Sequence, residues 1–125
     1  MQPSASKRPV VLIVEDEALI RVDAVDSLEA AGFEVIEAAN ADEAIAILGR
    51  RSDIRVVFTD VHMPGTMDGL TLVHFVRNRW TSVKIVATSG QARISAQNLP
   101  QGGRFLPKPY TPPQIADTVH ELFHG

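Results

Sequence analysis

The stretch Val10-Val11-Leu12-Ile13-Val14-Glu15-Asp16-Glu17 sets the fold. Five apolar residues, four of them β-branched, run without alternation and then stop abruptly at three acids. A strand with one wet face alternates apolar and polar residues, whereas a continuous run reads as a strand buried on both faces. The same texture recurs at 56–58 and 85–87, and more weakly at 34–36 and 105–106. Between these runs the spacing changes to that of helices. Ala18, Val22, Val25 and Leu28 recur at three- and four-residue steps, and Gly32 sits where such a helix stops. Asn40 with Glu43 has the form of a capping pair before Ala44, Ile45 and Leu48. Leu72, Phe75 and Val76 mark a third helix ending near Trp80. Thr111 as cap and Pro112 in the first turn introduce Ile115, Val119 and Leu122. The segment 90–103 is the least regular, with room for one short helix around 93–97. Strands alternating with helices through short connections imply right-handed crossovers and an α/β fold, a parallel sheet covered on both sides.

Bulk properties narrow the function classes. A chain of 125 residues fits one domain, and folding should bury roughly two-thirds of its unfolded surface. There is no cysteine, which excludes disulfides, thiolate metal sites and thiol nucleophiles. The formal net charge of -3 argues against a grip on nucleic acid, which needs clustered Lys and Arg. Arg50, Arg51, Arg55, Arg77 and Arg79 stand among carboxylates and read as solvated faces. No apolar run approaches bilayer length. Residues 1–9, despite Lys7 and Arg8, read as a flexible leader rather than a signal peptide, and a cytoplasmic protein is expected.

The chemistry gathers at the strand ends. Glu15 and Asp16 follow the first strand, and Asp60 follows the third, just before Met63-Pro64-Gly65. In doubly wound sheets, ligands bind beyond the carboxyl ends of the strands, where the strand order reverses. If the first and third strands are neighbours, three acids converge there, and two like charges about 4 Å apart repel by roughly 4 kcal/mol at an effective dielectric near 20. A cation would relieve that repulsion, and Mg²⁺ suits a site with few carboxylates. The bland alternative for Glu15 and Asp16 is a favourable interaction with the dipole of the first helix. Lys108, held between Pro107 and Pro109 after the fifth strand, can pair with Asp60; otherwise it is an ordinary surface lysine. A hydroxyl after the fourth strand, Thr88 or Ser89, is either part of the site or a turn residue.

Taken in order, these pieces resemble the receiver domain of bacterial two-component response regulators. The carriers are Val14-Glu15-Asp16-Glu17, then Thr59-Asp60-Val61-His62-Met63-Pro64 and Met67-Asp68-Gly69, then Ser89-Gly90 and Lys108-Pro109-Tyr110. The resemblance implies a flavodoxin-like (CheY-like) doubly wound sheet of five parallel strands in order 2-1-3-4-5, with residues 10–125 forming the receiver. It implies that Asp60 accepts a phosphoryl group from the phosphohistidine of a sensor histidine kinase or histidine phosphotransfer protein. Glu15, Asp16, Asp60 and the backbone carbonyl of His62 would hold Mg²⁺ (or Mn²⁺). Ser89, with Thr88 as the alternative, would bond a phosphoryl oxygen, and Lys108 would pair with the acyl phosphate. Phe105 matches the aromatic switch position, and the Lys108–Pro109 peptide would be cis. Such a protein is not a turnover enzyme but catalyses its own phosphorylation and dephosphorylation. The chain ends without room for a DNA-binding or catalytic output domain, so a downstream protein target and a monomer or weak dimer are expected. Two departures stand out: Gly65-Thr66 lengthens the loop before Met67, and the stretch from Ser89 to Lys108 is short.

Rival readings fit less well. An Asp-nucleophile phosphatase usually carries a second Asp two residues after the first, where this chain has His62. A flavin carrier needs a Ser/Thr/Gly-rich phosphate loop, whereas Glu15-Asp16-Glu17 would repel a phosphate. A docking-only pseudo-receiver does not require the full acid set. His74, His120 and His124 lack ligand spacing, Trp80 is expected to pack at a helix end, and Tyr110 is either a core aromatic or a surface contact.

Overall fold

The computed structural model describes residues 8–61, 69–90 and 103–124. In chain order these form β1 (Val10–Val14), α1 (Ala18–Ala30), β2 (Glu34–Ala38), α2 (Ala41–Arg50), β3 (Ile54–Asp60), α3 (Gly69–Arg79), β4 (Lys84–Ser89), β5 (Arg104–Pro107) and α4 (Pro112–His124). The five strands are parallel and lie in the order β2-β1-β3-β4-β5. The doubly wound sheet expected from the sequence is therefore present. Its order reverses between β1 and β3, which places a crevice at their carboxyl ends.

The alternation of side chains along each strand builds two cores. Val10, Leu12 and Val14 pack into a layer with Ala44 and Leu48 of α2 and with Leu72, Val73 and Val76 of α3. Val11 and Ile13 point the other way, against Ala24 and Leu28 of α1 and Ile115 and Val119 of α4. A strand flanked by two such layers has no wet side, so β1 must be apolar throughout. In β3 the parity breaks: Ile54 belongs to the first layer and Val56 to the second, two residues later. The register shifts between Val10 and Val11, whose partners are Ile54 and Val56. Arg55 is passed over and turned to solvent, as a bulge allows.

The helix ends follow local chemistry. Gly32 has φ 102°, its amide donates to the Glu29 carbonyl (3.1 Å), and the Phe33 amide donates to the Leu28 carbonyl (3.1 Å). This is a Schellman stop, sealed by burial of Leu28 and Phe33 in one layer. Asn40 Oδ1 accepts from the Glu43 amide (2.9 Å), while Glu43 reaches back to the Ala39 amide (2.8 Å), one residue before the expected cap. At α4 the box is reciprocal: Thr111 Oγ1 accepts from the Gln114 amide (3.3 Å), and Gln114 Oε1 accepts from the Thr111 amide (2.8 Å).

Two helical expectations need correction. In α1, Ala18 and Val22 are exposed, and the buried stripe is Ala24, Val25 and Leu28. The first turns of α1 begin at the rim of the sheet, where there is less core to face. In α3, Val73 takes the core position expected of Phe75, which lies at the surface with its ring 6.1 Å from that of Trp80. Arg79 sits 5.2 Å over the Trp80 ring, so the helix-end packing expected of Trp80 is observed. The short helix expected around 93–97 lies outside the described residues, as does the lengthened loop at 65–66.

Leu72→Ala should lower the unfolding free energy by about 2–5 kcal/mol in urea denaturation, because its cavity opens inside a closed layer. Phe75→Ala should cost about 1 kcal/mol or less, since it removes little more than one surface ring contact.

Candidate functional site

Four segments end at the same rim. Each strand end is tied to its neighbour by one further backbone bond. The Glu15 amide donates to the Ala38 carbonyl (3.1 Å), the Val61 amide to Thr88 (3.0 Å) and the Lys108 amide to Ser89 (3.0 Å). The residues expected to carry chemistry are thus held by the sheet rather than by free loops. Glu15 is 4% exposed, Asp60 6% and Ser89 2%, and Thr88 is also buried. Asp16, two residues past the strand, is exposed.

Lys108 closes the rim. Its Nζ lies 2.8 Å from Asp60 Oδ2 and 3.0 Å from Glu15 Oε1, spanning 48 and 93 residues of chain. Carboxylate oxygens of Glu15, Asp16 and Asp60 come within 4.8 Å of one another, a group that could hold a metal ion. Hard carboxylate oxygens, two buried and one open to solvent, suit a Mg²⁺-like cation that keeps part of its water. The Lys108–Pro109 peptide is cis. The carbonyl of His62 lies outside the described residues.

The electrostatics follow from burial and from these pairs. Burial pushes the Glu15 carboxyl above its ordinary range, against the Lys108 hydrogen bond and the Glu17 amide, which donates to Glu15 Oε2 (3.1 Å). Burial works against the Lys108 ammonium too, but the hydrogen bonds to Asp60 and Glu15 outweigh it and hold its pKa above the usual lysine range. One ammonium faces two buried carboxylates, so the rim carries a negative excess.

Around this centre, Tyr110 falls between the two expectations: it is half-buried, packed against the core on one side and open to a pocket on the other. Its ring meets Phe58 edge-on at 5.7 Å, and burial pushes its phenol up to about 12. It also lines, with Ile20, Asp23, Gly90, Lys108 and Pro109, a cavity of about 460 Å³ beside the acids. Phe105 is half-buried against the α2–α3 layer. His74 is exposed and the ring of His120 packs 4.8 Å from Phe33, away from the acids.

Two residues gain roles that the sequence did not assign: Gly69, quoted above only as part of Met67-Asp68-Gly69, and Arg21. Gly69 begins α3 so close to β3 that a Cβ there would collide with the Asp60 carbonyl oxygen and the Val61 Cα. Its amide donates to the Val61 carbonyl (3.1 Å). A glycine after an acidic loop signals a turn, but only the packing shows that it touches the Asp60 backbone. Arg21 donates from Nη1 to the Glu15 carbonyl (2.7 Å) and from Nε to Glu37 Oε1 (3.1 Å). In sequence it is one arginine on a helix.

The sheet order and this rim define a class of aspartate-centred receiver folds, and comparison with known proteins agrees. The response regulator receiver domain model matches residues 11–120, and the chain belongs to that family. It is 40% identical over 116 residues to sensor kinase CckA of Brucella abortus (strain 2308), covering 90% of this chain and 12% of that one. It is 28% identical over 121 residues to the glycerol metabolism activator of Pseudomonas putida, covering 92% of this chain and 54% of that one. Among solved structures, the receiver domain of hybrid histidine kinase CckA superposes with a TM-score of 0.77 at 34% identity, covering 90% of this chain and 97% of that one. The chain therefore spans about half or less of these two curated relatives. Among the described residues, no helix is long and apolar enough to cross a membrane.

The raised pKa of Glu15 gives a signed expectation. A carboxyl that takes its proton more readily folded than unfolded adds stability as pH falls through the folded pKa, and the gain levels off below the unfolded value of 4.5. In metal-free protein, the stability of wild type relative to Glu15→Gln should rise from pH 7 towards about pH 4.5, read by chemical denaturation at each pH. Gly69→Ala should lower the thermal midpoint by several degrees, roughly 3–5 °C for each kcal/mol lost in a chain of this size.

Proposed function

We propose that this domain accepts a phosphoryl group on Asp60, supplied by a histidine kinase or histidine phosphotransfer protein, and that acceptance changes a surface read by a downstream protein. One observation carries the reading. Two buried carboxylates and one exposed one crowd a strand-end crevice, opposite a lysine that bonds both buried ones. Structural ion pairs seldom need a surplus of buried acid. A phosphoryl-transfer site does, because an acidic nucleophile must be presented beside positive charge.

In the transfer, an Asp60 carboxylate oxygen attacks phosphorus, the new O–P bond forms, and the P–N bond of the phosphohistidine breaks. The imidazole nitrogen leaves with the bonding pair. The sheet fixes Asp60 at the end of β3, and the packing of Gly69 sets where its backbone lies. Lys108 Nζ would hold a phosphoryl oxygen after transfer, a role supported by its distance of 2.8 Å from Asp60 Oδ2. A divalent cation, Mg²⁺ or Mn²⁺, would be held by Glu15, Asp16 and Asp60, with the His62 carbonyl as a further ligand, and would supply charge neutralisation at the phosphoryl oxygens. Ser89 is the hydroxyl proposed to donate to a phosphoryl oxygen, with Thr88 the alternative; Phe105 would respond to that movement. The added negative charge must be met by donors that rearrange around it, which is the switch. A cytoplasmic setting and a receiver spanning residues 10–125 belong to the same reading.

Incubation with a small phosphodonor and Mg²⁺, followed by intact-mass measurement, should show one added phosphoryl group in wild type and none in Asp60→Asn. Equal labelling of the two would reject Asp60 as acceptor. Chelation of the cation should abolish labelling. Ser89→Ala should slow labelling by roughly 10²–10³-fold, the order of one lost transition-state hydrogen bond; if Thr88→Val has that effect instead, the hydroxyl is Thr88.

A further inference from the structure

We infer that Arg21 is a positioning residue for the divalent-cation site, fixing the Glu15–Asp16 turn from behind. The inference rests on the phosphoacceptor reading above. The turn between β1 and α1 has every reason to be loose. It carries adjacent acids that repel each other, and Glu17, at the helix N-cap, makes no side-chain capping bond. Yet the polar groups of Glu15, the turn's first residue, are all bonded. The Glu15 amide is bound by Ala38, its Oε1 by Lys108 and its Oε2 by the Glu17 amide. The Glu15 carbonyl is the remaining group, and Arg21 Nη1 takes it at 2.7 Å.

Arg21 can do this because it is itself anchored at both ends. Its amide donates to the Glu17 carbonyl (2.9 Å) in the first turn of α1, and its Nε reaches Glu37 Oε1 on β2 at 3.1 Å. One planar guanidinium thus ties α1, the acid turn and β2 together, from a side chain that is mostly buried. A lysine could keep the charge but has no fixed fork with which to hold two partners in different directions. Groups that orient metal ligands from behind commonly set metal affinity by about 10–100-fold. Arg21 touches no reacting atom, so its effect should appear in cation binding rather than in the transfer step at saturating cation.

The test is Mn²⁺ binding by electron paramagnetic resonance, with Mg²⁺ titration calorimetry, on wild type, Arg21→Ala, Arg21→Lys and Glu37→Ala, alongside thermal midpoints. Arg21→Ala should bind about 10-fold more weakly. Arg21→Lys should remain at least about threefold weaker despite its charge, and Glu37→Ala should fall between the lysine variant and wild type. Labelling of Arg21→Lys by a small phosphodonor should return to the wild-type rate at saturating Mg²⁺. Binding by Arg21→Lys equal to wild type overturns the inference, because charge alone would then suffice. If Arg21→Ala does not fold, Arg21→Lys and Glu37→Ala decide the matter. Wild type that binds no Mn²⁺ overturns the phosphoacceptor reading together with this inference, whereas binding by wild type and all folded variants within twofold overturns this inference alone.

Discussion

Two buried carboxylates share one ammonium at the carboxyl rim of the sheet, and the surrounding structure makes that arrangement possible. At about 4 Å, two unit charges interact by roughly 4 kcal/mol at an effective dielectric near 20, so Glu15 and Asp60 would drive each other apart without Lys108. Lys108 answers both at 3.0 and 2.8 Å. One positive charge against two negative ones still leaves an excess, and exposed Asp16 adds to it. A rim so charged is stable only when its backbone cannot yield. The pairing carried one residue past β1, β3 and β5, the contact of Gly69 with the Asp60 backbone and the Arg21 clamp all act on backbone rather than on the acids themselves.

The cost of this rim is carried by the two layers beneath it. Leu12, Val14, Leu72 and Val76 on one side, and Ile13, Leu28, Ile115 and Val119 on the other, are fully buried. Their burial supplies the stability against which a surplus of acid can be tolerated. In β3 and β4 the division of labour runs along the strand axis: mostly apolar, then charged or hydroxylated in the last two residues. Thr59-Asp60 and Thr88-Ser89 remain inside the strands for that reason.

Much of this was legible in the chain because parallel strands and amphipathic helices leave periodic traces. The run at β1, the Asn40 and Thr111 caps and the Gly32 stop are local, and local sequence specified them. The errors also have local causes. Val22 and Phe75 have the spacing of core residues, but spacing assumes that something lies opposite. At the rim end of α1 there is little core, and on α3 Val73, two residues before Phe75, is buried instead. The bulge at Arg55 was invisible because nothing in 54–56 distinguishes a continuous strand from one that skips a residue.

The sequence by itself determined the elements, the two-faced burial of the sheet, and which residues could bear charge at strand ends. It could not determine their meeting. Glu15, Asp60 and Lys108 come together because β3 inserts beside β1 and β5 closes beyond β4, a choice made by packing across the whole sheet. Lys108 reaches Glu15 across 93 residues, and no periodicity in the chain encodes that distance. The role of Arg21 likewise depends on β2 bringing Glu37 alongside α1. Side-chain chemistry is written residue by residue, whereas proximity is a property of the closed sheet.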